Sequence, residues 1–466
     1  MHSIQSTFAP RGTRLLRHAG SVMAALSLSI ATAFAAPTFD QPAADFKGRL
    51  FSAGALPGAE ATLSGYSFEP GQKVMLYRAG EALNDGQPIT VGEKGAFETK
   101  IAIPANAVPG LHPIAVSVAN PAAAAVYDLK VVKKIELTGQ DRFDVTRQKL
   151  VQGLYQVAYS PKTDKLFVTS AVGRPPVKAS ELLRLNAQTL AVEASTQPGA
   201  APDRQDGHLL AVYGVGVDDA NGNVWVTNTR QDTVAVYKQS DLKLVKQFPN
   251  GVAHHAFEIE IDQKLNKAYV SGPGKNLVEV FDSKKLASVG EIAINSQSDK
   301  AFSTMALALD PAAHKLYVVS GTTSEAAIID TRTDKVEKVL SVPGLKGGAG
   351  VAVDPKGKRL FLVGQVSDNL LIVDLESGKV LHDVAVGQGA LRVAFDAKSG
   401  NAFVVTRGAG TVAVVNAKGE LIGNLEGGTF PNHVIADDRG DVFVINKSRG
   451  ADDAQGDRIS RIVPKK

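Results

Sequence analysis

Nine side chains give this chain its means of gripping or transforming a small molecule: Gln156, Asn228, Arg230, His255, Glu258, Arg392, Arg407, His433 and Asn446. Guanidinium and amide N–H groups suit carboxylate or phosphate oxygens, because their donors match planar oxyanions. A carboxylate near an imidazole opens a second chemistry, proton transfer or metal ligation. Register links four of the nine. Gln156, Glu258, Arg392 and His433 each stand four residues before an Asp or Ser (Ser160, Asp262, Asp396, Asp437) that recurs along the chain. Three further units carry Gly214, Ala306 and Gly350 at that position. Asn228 and Asn446 close apolar strands, and Arg230 and Arg407 open the loops that follow, together with Lys275, Lys447 and Arg449. Buried polar groups must find hydrogen-bond partners, so the same inner side chains also read as ties between neighbouring units.

Other chemistries find less support. There is no cysteine, which removes thiolate nucleophiles, Cys-ligated zinc and iron–sulfur clusters. Neither a Gly-x-Ser-x-Gly elbow nor a phosphate loop of the Gly-x4-Gly-Lys-Ser/Thr type occurs, and no cofactor is expected. His254-His255 is a metal-like pair, but adjacent strand residues face opposite sides, so at most one joins a given site. His208, in the insertion 197–210, is expected to move in if a further ligand is needed. The run from Asp218 to Asn223 has calcium-loop residue types but lacks the closing Glu and reads as a hairpin turn.

The elements that would position these residues form a repeat. Aromatic anchors stand at Phe167, Trp225, Tyr269, Tyr317, Phe361, Phe403 and Phe443. The first six trail their Asp or Ser (Ser160, Asp218, Asp262, Asp310, Asp354, Asp396) by seven residues, and Phe443 trails Asp437 by six. Short apolar strands separated by Gly/Lys/Asn turns, at a period near 45 residues, predict propeller blades. The strand before each Asp carries bulk at one and three residues before it (Val215 and Val217, Leu307 and Leu309) and small residues between (Gly216, Ala308). That alternation suits blades packed face to face. The last unit supplies three strands, so residues 143–151, which alternate, are expected to return as its outer strand. In such a ring the nine candidates gather at one mouth of the central channel.

The second strands Phe167-Val-Thr-Ser170, Trp225-Val-Thr-Asn228, Tyr269-Val-Ser-Gly272 and Phe443-Val-Ile-Asn446, with Phe430-Pro-Asn-His-Val434, resemble the repeat of YVTN β-propeller proteins of the exported YncE-like group. The resemblance covers about two-thirds of the chain. It implies a WD40-like fold without a shared catalytic motif. Residues 51–133 hold short alternating strands cut by turns such as Pro57-Gly58, Pro70-Gly71 and Pro109-Gly110. They are similar to bacterial immunoglobulin-like modules, which implies a spacer or adhesion unit. The expected fold class is therefore all-β: an immunoglobulin-like β-sandwich (51–133) preceding a seven-bladed β-propeller (140–466).

Charge settles the compartment. Arg11, Arg14 and Arg17 precede an apolar run ending in Ala33-Phe34-Ala35, the pattern of a cleavable secretory signal peptide over 1–35, with a linker over 36–50. The run is too short to span a membrane, which needs ~20 residues. Of the formal charge of +4, three units belong to this leader, leaving 48 basic against 47 acidic residues. Aromatics are 6%, too few once seven anchor the blades, so nucleic acid is a disfavoured partner. The expected function is non-catalytic binding or scaffolding in the periplasm, or outside the cell, by a monomer that uses the channel-mouth face for a small anionic ligand or a protein. A receptor for a nucleotide or single-stranded DNA, and a metal-dependent hydrolase or lactonase, are the alternatives.

Overall fold

The computed structural model describes residues 45–119 and 121–465. The expected leader 1–35 and most of the expected linker lie outside the described residues. The linker's end is already strand, because Arg49–Phe51 pairs with Glu60–Tyr66. Residues 49–131 form two sheets. One holds Arg49–Phe51, Glu60–Tyr66 and Phe97–Ala102; the other is built on Lys73–Arg78, Gly110–Ala119 and Ala123–Val131, with short strands at its edge. Period-two alternation turns Ala61, Leu63, Val74, Leu76, Ile114, Val116 and Val118 inward, and they meet in one shared core. The unit is a two-sheet sandwich.

The remainder is seven four-stranded antiparallel sheets. Blades 1 to 6 span 154–196, 215–247, 259–293, 304–341, 348–385 and 390–426. Blade 7 takes Pro431–Ala436, Val442–Asn446 and Arg458–Pro464, and its outer strand is Phe143–Lys149, from the other end of the ring. The inner strands touch in cyclic order, blade 7 against blade 1 included, so the ring is closed.

Both repeating residue types have a structural cause. The Asp or Ser ends the inner strand and accepts backbone N–H bonds from the turn: Asp262 Oδ1 from Lys264 and Leu265 (both 3.1 Å), and Asp437 Oδ1 from Arg439 (2.9 Å) and Asp441 (2.8 Å). A short side-chain acceptor stands in for missing ladder partners there. Asp218 does the same for Asn221, which makes 218–223 the hairpin turn its residues resemble. The aromatics are wedges. Each is buried against the next blade: Phe167 on blade 2, Trp225 on blade 3, and so on to Phe443 on blade 1. A single sheet has no other cover for its faces, so this cyclic packing is what makes each blade stable.

The sandwich is tied to the ring. Lys130 Nζ lies 2.5 Å from Asp368 Oδ1 of blade 5. Thr138 pairs with Asn424 of blade 6, whose amide also donates to the Ile135 carbonyl at 3.0 Å. Gly139 turns the chain at φ 68°, where a Cβ would stand 2.7 Å from the Ile422 carbonyl oxygen, so only glycine fits this step.

Candidate functional site

In five of the seven blades the inner strand is bulged near the residue four before its Asp or Ser, which turns that residue toward the channel. Pairing to the second strand shifts at Leu154/Val157, Thr304/Leu307, Gly348/Gly350, Ala390/Arg392 and Pro431/His433. A bulge re-aims one side chain out of the ladder. In blades 1 to 3 a hydroxyl on the second strand takes the freed N–H: Thr169 from Gln156 (3.1 Å), Thr227 from Gly214 (2.7 Å) and Ser271 from Glu258 (3.2 Å). That is the structural work of the Thr or Ser in the Val-Thr strand pattern.

Gln156, Glu258, Arg392 and His433 converge, all buried, into a septum across the channel. Glu258 Oε1 lies 3.6 Å from Arg392 Nε and 3.7 Å from His433 Nε2, while Oε2 accepts the Leu307 N–H at 2.8 Å. Burial alone would raise this carboxyl, but Arg392, His433 and the Leu307 N–H outweigh it and hold it below its ordinary value. Burial lowers His433, with Glu258 opposing, which favours the neutral ring. Three of the four also bridge blades in one way. Gln156 accepts from Val215 N (3.2 Å), His433 Nδ1 from Val157 N (3.5 Å) and Glu258 from Leu307 N, each donor being the next residue in register on the following blade. The fourth reaches back, Arg392 donating to the Ala349 carbonyl.

Above the septum is a chamber of about 290 Å³, lined by Tyr155, Phe257, Arg392, Arg407, Asn432, Lys447 and neighbours. No acid lines it. Arg392 stacks on Phe257 with its guanidinium carbon 4.9 Å from the ring centre. Arg407 lies 5.1 Å from the Phe430 ring and donates to Asn432 Oδ1, and Lys447 Nζ sits 4.5 Å above Tyr155. Burial pushes the Lys447 ammonium down to about 8, with the charge of Arg407 adding to it. Burial likewise lowers Arg407 and raises Tyr155. One donor is unspent: Gln156 Nε2 is buried without a hydrogen-bond partner among the described residues, whereas Arg392 Nε faces Glu258. A site with fixed cations, aromatic faces and an idle N–H group is arranged for an anion.

Below the septum a second cavity of about 330 Å³ holds Glu258, Glu260, Asp437 and Asp438. Glu260 stands where Gly216, Ala308 and Ala352 stand in other blades. Its carboxyl is pushed up to about 8 by burial and by the neighbouring Glu258. The two mouths therefore have opposite character.

The structure thus gathers Gln156, Glu258, Arg392, Arg407 and His433, and leaves four candidates elsewhere. Asn228 is wholly buried; its amide donates to the Leu210 carbonyl (2.8 Å) and accepts from Gln247 (3.2 Å), pinning the insertion to blade 2. Asn446 donates to the Gln455 carbonyl (2.6 Å) and accepts the Arg458 N–H (2.7 Å), holding the blade 7 loop. Both are structural because an Asn at a strand end satisfies its own loop's backbone first. Arg230 and His255 are exposed on the loops of blades 2 and 3, outside the chamber. His254 and His255 occupy a turn and not a strand, with the His255 N–H on Asp232 Oδ1 at 2.7 Å. His208 is buried, accepting the Val177 N–H at 2.6 Å, and is not free to reach a metal. Sequence reasoning passed over Tyr155 and Phe257, whose signal was present: both are aromatic, one residue before the septum position.

No protein-family model matches the chain. It is 25% identical over 337 residues to the uncharacterised protein YncE of Salmonella typhimurium, covering 69% of this chain and 91% of that one. The uncharacterised protein YncE of Escherichia coli strain K12 is 25% identical over 267 residues, 54% of this chain and 70% of its own. Among solved structures, virginiamycin B lyase from Staphylococcus aureus superposes with a TM-score of 0.54 at 12% identity, over 69% of this chain and 100% of that one. The RRP9 WD40 repeats give 0.55 at 10% identity, over 71% and 100%. What these proteins share with the chain is the ring of blades just described, and the chain is a β-propeller protein.

Proposed function

We propose that this is a non-catalytic binding protein of the bacterial periplasm, whose channel-mouth chamber takes one small anionic ligand. One observation carries the reading: Arg392, Arg407 and Lys447 face a single chamber that no carboxylate lines. Arg392 is paired with Glu258, but among the described residues Arg407 and Lys447 have no carboxylate within ion-pair distance, and an anion relieves their mutual repulsion. The chamber is at the small end for ligand pockets, which fits a metabolite-sized guest better than a polymer. Residues 1–35 support export, and the sandwich then acts as an immunoglobulin-like spacer fixed to blades 5 and 6. The hydrolase or lactonase alternative has less behind it, since Glu258 and His433 are already engaged with Arg392 and with backbone N–H groups.

Calorimetric titration at low salt with phosphate, citrate, lactate, benzoate and AMP tests the reading. One-site binding that weakens with salt, and drops about tenfold or more in Arg407→Met for each lost charge-assisted contact, is expected. Absence of binding by every one of these anions at millimolar concentration would sink it.

A further inference from the structure

Lys447 differs from the other half-buried lysines of the ring. Lys165, Lys267 and Lys315 each lie within 3.1 Å of a carboxylate: Glu193, Asp334, and both Asp330 and Glu337. Among the described residues none stands within ion-pair distance of Lys447. Asp457 acts on it only from farther off, and is occupied by the N–H groups of Gly153 (2.8 Å) and Ser448 (3.2 Å). Instead the amine rests on the Tyr155 ring, in the same chamber as Arg407, Arg392, Asn432 and His433. An amine that is desolvated, unpaired and placed beside a second cation has the environment in which lysines act as nucleophiles on carbonyl groups.

We propose that Lys447 forms a reversible Schiff base with a 2-oxo acid whose carboxylate is held by Arg407 and Arg392. This deepens the anion-binding reading and rests on it. The neutral amine attacks the C2 carbonyl carbon, and the carbonyl oxygen takes up a proton to give a carbinolamine. Loss of the nitrogen's proton and expulsion of the hydroxyl as water leave a C=N bond to Lys447. Overall, one amine and one ketone give one imine and one water, with no oxidant or reductant. The protons are exchanged with water, because both ring nitrogens of His433 are directed at Glu258 and the Val157 N–H. The groups facing the amine are Tyr155, Arg407 and, at longer range, Asp457; burial and repulsion by Arg407 favour its neutral form and outweigh Asp457 and the Tyr155 ring, which favour the charged one.

Carboxylate capture and imine formation then depend on pH in opposite ways. Non-covalent binding weakens as pH rises through about 8 and Lys447 loses its charge, whereas imine formation speeds up over the same interval. The experiment treats the full-length protein with pyruvate in the presence of cyanoborohydride, followed by intact-mass measurement and peptide mapping. Lactate, which has the carboxylate but no ketone, is titrated in parallel. The expected result is one adduct, mapped to Lys447 and lost in both Lys447→Met and Lys447→Arg. Arg407→Met is expected to cut the labelling rate about tenfold, as loss of one charge-assisted contact would. Lactate binding together with adducts scattered over surface lysines overturns the Schiff base and leaves anion binding standing. Failure of both lactate and pyruvate to bind overturns both.

Discussion

The septum row is polar in blades 1, 3, 6 and 7 and bare in blades 2, 4 and 5, and the two sets of blades close by different means. In blades 1, 3 and 7 a side chain spans the junction and takes a backbone N–H of the next blade, and in blade 6 Arg392 donates back to a carbonyl of blade 5. On the bare side the backbones come together directly. A Cβ on Gly214 would stand 2.0 Å from the Phe257 carbonyl oxygen, and one on Gly350 would stand 2.9 Å from the Arg392 Cα. One fold position therefore serves either as a bridge or as clearance. Blades 1, 6 and 7, which bridge, also supply most of the chamber, so the groups that join the blades form the floor of the ligand site.

Four changes break or sharpen that contrast. The largest effect is expected from Glu258→Ala, which leaves Arg392 buried without its counter-charge and Leu307 N–H without its acceptor; urea unfolding is expected to show a loss of about 3–5 kcal/mol. On the bare side, Gly214→Val drives a branched side chain into the carbonyl of blade 3 and is expected to cost about 3 kcal/mol by the same measurement. An unchanged midpoint would show that blades 2 and 3 are free to separate. Gln156→Ala removes one neutral bridge and leaves a buried N–H, for about 1–3 kcal/mol. The fourth change is read in pH. The folded Glu260 carboxyl has been raised from 4.5 to about 8, so the folded chain holds an extra proton across that interval. Stability is then fully present below about 4.5 and falls as pH rises through about 8. In Glu260→Gln that slope should disappear from melting temperatures measured at pH 5 and pH 8.5, and a wild-type curve flat between those values would contradict it.

Much of this was legible in the sequence for physical reasons. The spacing from Asp or Ser to aromatic is seven in six units and six in the last because it joins a turn acceptor to an inter-blade wedge. Counting back from the Asp located Gln156, Glu258, Arg392 and His433 together. The bulges that aim them were not legible, because a bulge is a pairing event between strands and leaves no composition mark. Asn228 and Asn446 misled for the opposite reason: an amide at a strand end looks the same whether it faces a ligand or its own loop. His254-His255 was read with strand alternation, but His255 has φ 46° and belongs to a turn. Lys447 was visible only as one loop cation among several; its desolvation depends on Tyr155, which lies nearly three hundred residues away in sequence.

The clasp in blade 7 has a consequence for how the molecule comes into being. Phe143 pairs with Pro464 and Lys149 with Arg458, so the ring's last sheet joins the two ends of the propeller sequence. A chain synthesised from its first residue onward delivers the sandwich early, and its core draws on residues 46–131. The strand 143–149 then emerges with its partner still to follow, and blade 1 waits for Phe443 to cover its face. Pairings so distant in sequence form late and slowly. The order of delivery thus leaves an open arc of blades with two uncovered edges, the interval in which a partner that shields strand edges would matter most.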